Sequence, residues 1–287
     1  MKERPILFNC AMVRAILRGD KTQTRRVFDM PDGYYQRNGG EYGRITSAHP
    51  HKGKFGLFIE EDGPFGPVVD LIPSPFGMPS DRLWVRETWR PEFHTNGGPT
   101  DCACEMVGFK ATDTNESCIE AADRKEWARW FEQYGDSRWQ PSIHMPRWAS
   151  RITLEVTAVR VERLQNIDEE GAEAEGIAML KSGSFGIHGT QINDEGCALD
   201  AFEKLWDSIY GKSDKKWSAN PWVWVAEFRA TASRELLPWM ELTQDEIDAL
   251  LPDHWSHYQR GGCLCMASYY SECACGAWSV GGKDGER

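Results

Sequence analysis

The segment Gly19-Asp20-Lys21-Thr22-Gln23-Thr24-Arg25-Arg26 places one amine, two hydroxyls and two guanidinium groups within six positions. A primary amine beside a hydroxyl activates a weak nucleophile without histidine or metal. The flanking cations bear on that chemistry, because like charge and burial both lower a lysine pKa and let the amine act as a base near neutral pH. Taken alone, such a stretch also reads as a solvated basic turn. Geometry adds a condition. On a regular strand Lys21 and Thr24 point to opposite faces, whereas Thr22 and Thr24 share one. A Lys21–Thr24 pair therefore needs a turn over residues 20–23, which Gly19-Asp20 favours, and Thr22 stands as the alternative nucleophile.

The elements that must position these groups are legible in outline. Pro5 to Phe8 reads as a short strand. Asn9 caps a helix with Val13, Ile16 and Leu17 on one face, and Gly19 ends it. Residues 30–80 are rich in Gly, Pro and Tyr and predict loops and short strands. Leu83 to Trp89 alternates as a strand, and a short helix is expected around Ala121 to Tyr134. Ile152 to Val156 alternates, then continues out of phase at Val159 and Val161, which predicts a bulge near Thr157-Ala158. Asn166 or Asp168 caps a short acidic helix stopping at Gly176. Leu199, Phe202, Leu205, Trp206 and Ile209 recur at helical spacing up to Gly211. Trp222 to Phe228 is a last strand. Short strands, helices and Gly-rich turns predict an α+β fold built on a small, partly open barrel.

Charge narrows the partners. The 287-residue chain has a net charge of -11, which argues against a general nucleic-acid coat. Residues 1–30 carry a net +4 and residues 162–210 a net -8. That asymmetry points to a local anion site or to pairing between the two segments. No apolar run approaches the ~20 residues of a membrane helix, and the apolar run before Asn9 is short for a secretion signal. No membrane partner and a cytoplasmic location are therefore expected. Nine cysteines, an odd number, read in a reducing compartment as free thiols or metal ligands.

Several segments together resemble the ASCH family, a branch of the PUA-like barrel superfamily, most closely its large phage and prophage members. They are Pro5-Ile6-Leu7-Phe8, Gly19 to Arg26, Asp81-Arg82-Leu83-Trp84-Val85-Arg86-Glu87-Thr88-Trp89 and Pro141 to Arg151 (Pro-Ser-Ile-His-Met-Pro-Arg-Trp-Ala-Ser-Arg). Ala172-Glu173-Ala174-Glu175-Gly176-Ile177 and Asn220 to Val225 complete the set. The resemblance covers most of residues 1–229. It implies a small β-barrel with flanking helices around a cleft for a base or nucleotide, with insertions near 30–80 and 91–138 in a domain spanning 1–232. A C-terminal extension, 233–287, comprises a helix from Thr243 to Leu251 and a Cys/Gly-rich tail.

Some compact members of that family resemble this chain around Lys-Thr-x-Thr and are amidohydrolases that remove the acetyl group from N(4)-acetylcytidine. Their reactive lysine matches Lys21, their threonine nucleophile Thr24 and their glutamate Glu175. The resemblance thus implies a nucleoside or modified-base deacylase needing no cofactor. Thr24 would attack, Lys21 would take its proton, and Glu175 would orient the base or protonate the leaving nitrogen. Arg25, Arg26 or a backbone amide would face the oxyanion. One departure is that the turn usually written Pro-Gly-Asp reads Pro79-Ser80-Asp81.

Around that centre, Thr22, Arg25, Arg26, Trp84, Arg86, Trp89, His144, Arg147 and Trp148 are candidate substrate-binding residues. The tryptophans, Trp222 and Trp224 included, would offer stacking surfaces, although a core role is the ordinary one for each. His144 equally fits a structural histidine. Arg147 and Arg151 would bind phosphate or pair with the acidic helix.

A second constellation, Cys263-Leu264-Cys265 and Cys273-Ala274-Cys275 with His254 and His257 upstream, would suit a structural zinc. Its pairs are separated by one residue instead of the usual two, and adventitious thiols in a tail are the competing reading. Three functions follow: the amidohydrolase, a non-catalytic module binding RNA or a modified nucleotide, and a phage accessory protein acting in a bacterial host through protein contacts.

Overall fold

A computed structural model describes residues 1–64, 66–95, 103–112, 114–118, 124–135 and 138–231. The expected C-terminal helix and the cysteines of the second constellation lie outside the described residues. The chain forms two compact units, Met1–Arg86 with the described part of Ser150–Arg234, and the described part of the remainder. In chain order the first unit contributes β1 (Glu3–Leu7), α1 (Cys10–Arg18), β2 (Gln23–Val27), β3 (Tyr35–Gln36), β4 (Tyr42–Arg44), β5 (Phe55–Glu61), β6 (Val68–Pro73) and β7 (Arg82–Arg86). The second contributes β8 (Trp89–Thr95), β9 (Ala103–Phe109), β10 (Thr114–Cys118) and α2 (Arg124–Tyr134). The chain then returns to the first unit with β11 (Thr153–Arg163), α3 (Glu169–Ala174), β12 (Ala178–Met179), β13 (Phe185–Gly186), α4 (Ala198–Tyr210) and β14 (Trp222–Thr231). The fold is mixed α+β with many strands and few helices.

The expected strand over 83–89 is two strands. β7 ends at Arg86 and β8 begins at Trp89, so Trp84 and Trp89 belong to different units. In the second unit β10, β9 and β8 form an antiparallel sheet, and Trp89, Val107, Phe109, Trp127 and Met145 make its core. The expected 91–138 insertion falls inside this unit.

The first unit is organised by a five-stranded sheet of order β1-β7-β11-β14-β2. Its central pair is the long β11·β14 ladder, and the bulge between Val156 and Ala158 lies where the phase of the apolar pattern slips. On β14, Val223 and Val225 face α3 and α4, where they pack with Ala172, Phe202, Leu205 and Trp206. Burying each of the larger side chains contributes about 1.5–3 kcal/mol. Ile209, expected on that face, is 52% exposed; Ala198 and Ala201 fill the stripe instead. Trp224 points to the other face, with the rings of Phe28 and Tyr42 at 5.7 and 6.3 Å. Tyr42 comes from the 30–80 segment, which folds as the β3–β6 sheet, and its hydroxyl accepts from Val161 N at 2.7 Å.

Among the described residues the ladder ends at β1 and β2, and no closed barrel is found. Phe8 N donates to Arg86 O and Arg82 N to Lys2 O, so the even-numbered residues of β1 serve β7 while Leu7 turns its carbonyl outward. Phe28 N likewise donates to Trp222 O, so Arg25 turns its carbonyl away from β14. Both outward carbonyls meet the guanidinium of Arg26, which donates to Arg25 O at 2.9 Å and Leu7 O at 3.1 Å. One side chain thus spans a seam that no backbone ladder closes.

The turn before β7 explains the departure at Pro79-Ser80-Asp81. Asp81 accepts from Lys2 N at 2.8 Å, Arg4 Nη1 at 3.0 Å and Met78 N at 3.3 Å, tying the start of β1 to this turn. Burial opposes the Asp81 charge, but these donors outweigh it and hold the carboxyl below its ordinary value. Ser80, exposed, adopts φ 73°, a left-handed conformation that costs an L-residue about 1–2 kcal/mol. Glycine removes that strain at an unfolded-chain entropy cost of about 0.4–1 kcal/mol. Ser80→Gly is therefore expected to stabilise the protein by about 0.5–1 kcal/mol, read as a raised urea midpoint with an unchanged slope.

Candidate active site

Two glycines bring the basic segment and the acidic helix together. Gly19, at φ 83°, ends α1, and Asp20 N and Lys21 N fold back onto Ala15 O. The chain therefore turns ahead of β2, as Gly19-Asp20 predicts. β2 starts only at Gln23, so strand alternation does not govern Lys21. Thr22 N donates to Ala174 O at 2.8 Å, and Lys21 forms a single antiparallel bridge with Glu175. Asp168, not Asn166, caps α3 through Gly171 N. Gly176, at φ 99°, follows Glu175; a Cβ there would lie 3.0 Å from Ala15 Cβ and 3.3 Å from Lys21 Cβ.

The result is a buried ionic centre. Lys21 Nζ donates to Glu175 Oε2 at 2.6 Å and to Glu175 O at 2.8 Å, and the two residues are 2% and 5% exposed. The second carboxylate oxygen accepts from Arg25 Nη1 at 3.1 Å. Arg25 also donates through Nη2 and Nε to Glu162 Oε1 at 2.9 and 3.2 Å, and lies 5.8 Å from the centroid of Phe202. Glu162 accepts from Arg160, Arg160 reaches Glu227, and Gln23 bonds both Glu227 and Arg25. A solvated basic turn is thereby excluded. Burial lowers the Lys21 pKa, the Glu175 charge opposes that fall, and Arg26 and Arg25 add to it.

Strand alternation separates Arg25 from its neighbours. Arg25 pairs with Val225 in the ladder and faces the helices, whereas Thr24 pairs with Ala226 and Arg26 with Trp224 on the other face. There Thr24, completely buried, accepts from Arg26 Nη1 at 2.7 Å. The Phe8 ring lies 5.7 Å from Lys21 Nζ and 5.5 Å from the Arg26 guanidinium carbon. It is the common wall of the Lys21 amine and the guanidinium that holds the Thr24 hydroxyl. Every bond Arg26 donates ends on a neutral oxygen, and among the described residues no carboxylate sits within ion-pair distance of it. Burial lowers its pKa as well.

In the first unit, Lys21, Glu175 and Arg25 are thus joined in one ionic centre, and Thr24 and Arg26 lie together on the other face of β2. Thr22 is not part of the centre: it is exposed, outside β2, while Thr24 is enclosed. Trp84 and Arg86 form their own pair on β7, the guanidinium 4.7 Å from the ring. Trp89, His144, Arg147 and Trp148 belong to the second unit. Trp89 has no exposed surface and packs edge-on against Trp130 and Trp148, so it is core and not a stacking platform. His144 and Arg147 are exposed in single helical turns. Phe8 and Glu162 are the residues here that sequence reasoning does not single out, and Trp224, a candidate stacking surface, is buried core. Phe8 had a signal, an aromatic just before a helix that ends in the basic segment. Glu162, well over a hundred positions from Arg25, had none. Among the described residues no group of three or more His, Cys, Asp or Glu is placed to hold a metal, and no helix is long and apolar enough to cross a membrane.

Breaking the pair leaves buried charge uncompensated. Glu175→Gln is expected to cost about 3–5 kcal/mol in chemical denaturation. A double-mutant cycle with Lys21→Met should return a coupling of about 0.5–3 kcal/mol. The lowered Lys21 pKa has a defined sign. Above the folded pKa the unfolded chain binds this proton more tightly, so stability climbs with pH from that value to the ordinary 10.5. Lys21→Met should remove that climb, seen as a flattened urea midpoint against pH relative to the parent chain.

No family model matches the chain, and no characterised protein or solved structure does either.

Proposed function

We propose that this protein is an amidohydrolase acting on a small N-acylated, cytidine-like nucleoside or base in the cytoplasm, with Thr24 as nucleophile and Lys21 as base. The observation that carries the reading is the environment of the amine. Two of its positions are committed to Glu175 O and Oε2, and burial shifts its pKa towards the neutral form against the charge of Glu175. In that form both N–H bonds are spoken for, and the one remaining tetrahedral position is a lone pair. Glu175 accepts on both carboxylate oxygens. It is therefore a positioning residue for Lys21 and not the donor to the leaving nitrogen. The resemblance to ASCH proteins points the same way, and the open five-stranded sheet fits the reading of a partly open PUA-like barrel.

Chemically, Thr24 Oγ attacks the acyl carbon as Lys21 takes the hydroxyl proton. The tetrahedral oxyanion collapses with loss of the C–N bond, and the exocyclic nitrogen leaves with the proton from Lys21. Water, deprotonated by Lys21, then cleaves the threonine ester, releasing the carboxylic acid and restoring the hydroxyl. One water is consumed per amide bond.

A second reading, a nucleotide-binding module without turnover, is favoured by one observation: Thr24 has no exposed surface and its oxygen is engaged by Arg26. The purified full chain incubated with N(4)-acetylcytidine separates the two. The hydrolase releases acetate and cytidine. Lys21→Met should lower kcat/KM by about 10²–10⁴-fold, and the near-isosteric Thr24→Val should reduce it to background, both with unchanged circular dichroism. Binding of N(4)-acetylcytidine without product would establish the second reading; neither binding nor product sinks both.

A further inference from the structure

A nucleophile with no exposed surface needs a way in, and the fold offers one weak boundary. On one flank Thr24 is held by the β2·β14 ladder, whose opening would break several backbone hydrogen bonds. On another, the segment just ahead of β2 is tied to the end of α3 by the buried Lys21–Glu175 ion pair. On the third, between β1 and β2, no backbone hydrogen bond is made among the described residues, and side chains alone close the gap: Arg26 Nη2 on Leu7 O at 3.1 Å, and the Phe8 ring against Arg26 and Lys21. This seam reaches the surface, since Leu7 is 44% exposed. The guanidinium is also the one cation of the cluster without a carboxylate partner, because Arg25 is committed to Glu162 and Glu175.

We infer that the β1–β2 seam is the mouth of the site and that Arg26 is its clasp, exchanging the Leu7 carbonyl for the acyl oxygen of the incoming substrate. The second half rests on the amidohydrolase reading; the first does not. The exchange swaps one neutral oxygen acceptor for another, so Arg26 keeps its hydrogen bonds in both states. It also carries a donor to the acyl oxygen beside the Thr24 hydroxyl that it already touches. When negative charge develops on that oxygen, a cation with no carboxylate partner is the group able to respond.

The test reads access directly instead of turnover. In a Thr24→Cys chain, alkylation by iodoacetamide is followed at position 24 by peptide mass spectrometry, with the partly exposed Cys197 as internal control. Adding Arg26→Gln should raise the rate at position 24 by at least about tenfold and leave Cys197 unchanged, a factor of ten corresponding to about 1.4 kcal/mol. N(4)-acetylcytidine should slow labelling at position 24 more than cytidine does while Arg26 is present. An unchanged rate at position 24, or a rise in step with Cys197, overturns the seam as the mouth; equal protection by the two nucleosides overturns the acyl-oxygen contact. Seam-specific labelling in a protein that never turns over N(4)-acetylcytidine would refute the hydrolase and keep the mouth. Turnover with unresponsive labelling would do the reverse.

Discussion

The Glu175 carboxylate, shared between Lys21 and Arg25 out of reach of water, is the constraint on which the candidate site depends. An unpaired buried charge is too costly to keep, so wherever Lys21 goes Glu175 must follow. That requirement accounts for several otherwise separate features. The left-handed Gly19 stops α1 so that the chain can turn back. Gly176 has no Cβ because one would press on Ala15 and Lys21. The Asp168 cap starts α3 at a position that ends it against Thr22. Arg25 carries the compensation onward through Glu162 to Arg160 and Glu227, so the basic N-terminal segment and the acidic segment of residues 162–210 meet at Lys21, Arg25, Glu162 and Glu175.

A single strand then serves two layers. β2 delivers Arg25 to the helix side of the sheet and Thr24 with Arg26 to the opposite side, the ordinary consequence of a two-residue period. Lys21 escapes that period because it precedes the strand. Its amine can therefore touch Glu175 on the helix side and lie over Phe8, which also meets Arg26. The same alternation leaves the carbonyls of Leu7 and Arg25 facing an unpaired edge. A guanidinium with parallel donors suits that edge better than an ammonium, whose point charge cannot span two carbonyls and a hydroxyl in one plane.

Local signals in the sequence were sound where the physics is local. The Asn9 cap, the Gly19 stop, the bulge after Val156 and the acidic helix ending at Gly176 all appear in the structure. Periodicity erred where tertiary packing decides. Ala15 is buried on α1 while Leu17 is only partly so, and Ile209 is exposed although its spacing fits the buried stripe. Leu83 to Trp89 reads as one strand because its apolar residues continue across a unit boundary that no Gly or Pro marks. The meeting of Lys21 with Glu175 was legible only through a resemblance; no spacing rule predicts a bond between residues 154 positions apart. Glu162, bonded to Arg25 across 137 positions, was invisible for the same reason.

The ionic centre is itself an argument about purpose. Desolvating two charges costs several kcal/mol per ion, and replacing a buried ion pair by apolar side chains of similar volume is often neutral or stabilising. Stability alone therefore gives little reason for Lys21, Glu175 and Arg25 to occupy an interior that already holds Phe8, Phe202 and Trp224. A methionine at position 21 would fill much the same space and free Glu175 to pair with Arg25 alone. What a hydrocarbon cannot supply is an amine whose proton affinity burial has lowered, held by two acceptors so that its last position faces away from them. The enclosed hydroxyl of Thr24, held by a cation that has no carboxylate of its own, belongs to the same economy: polar groups kept where packing would be simpler without them.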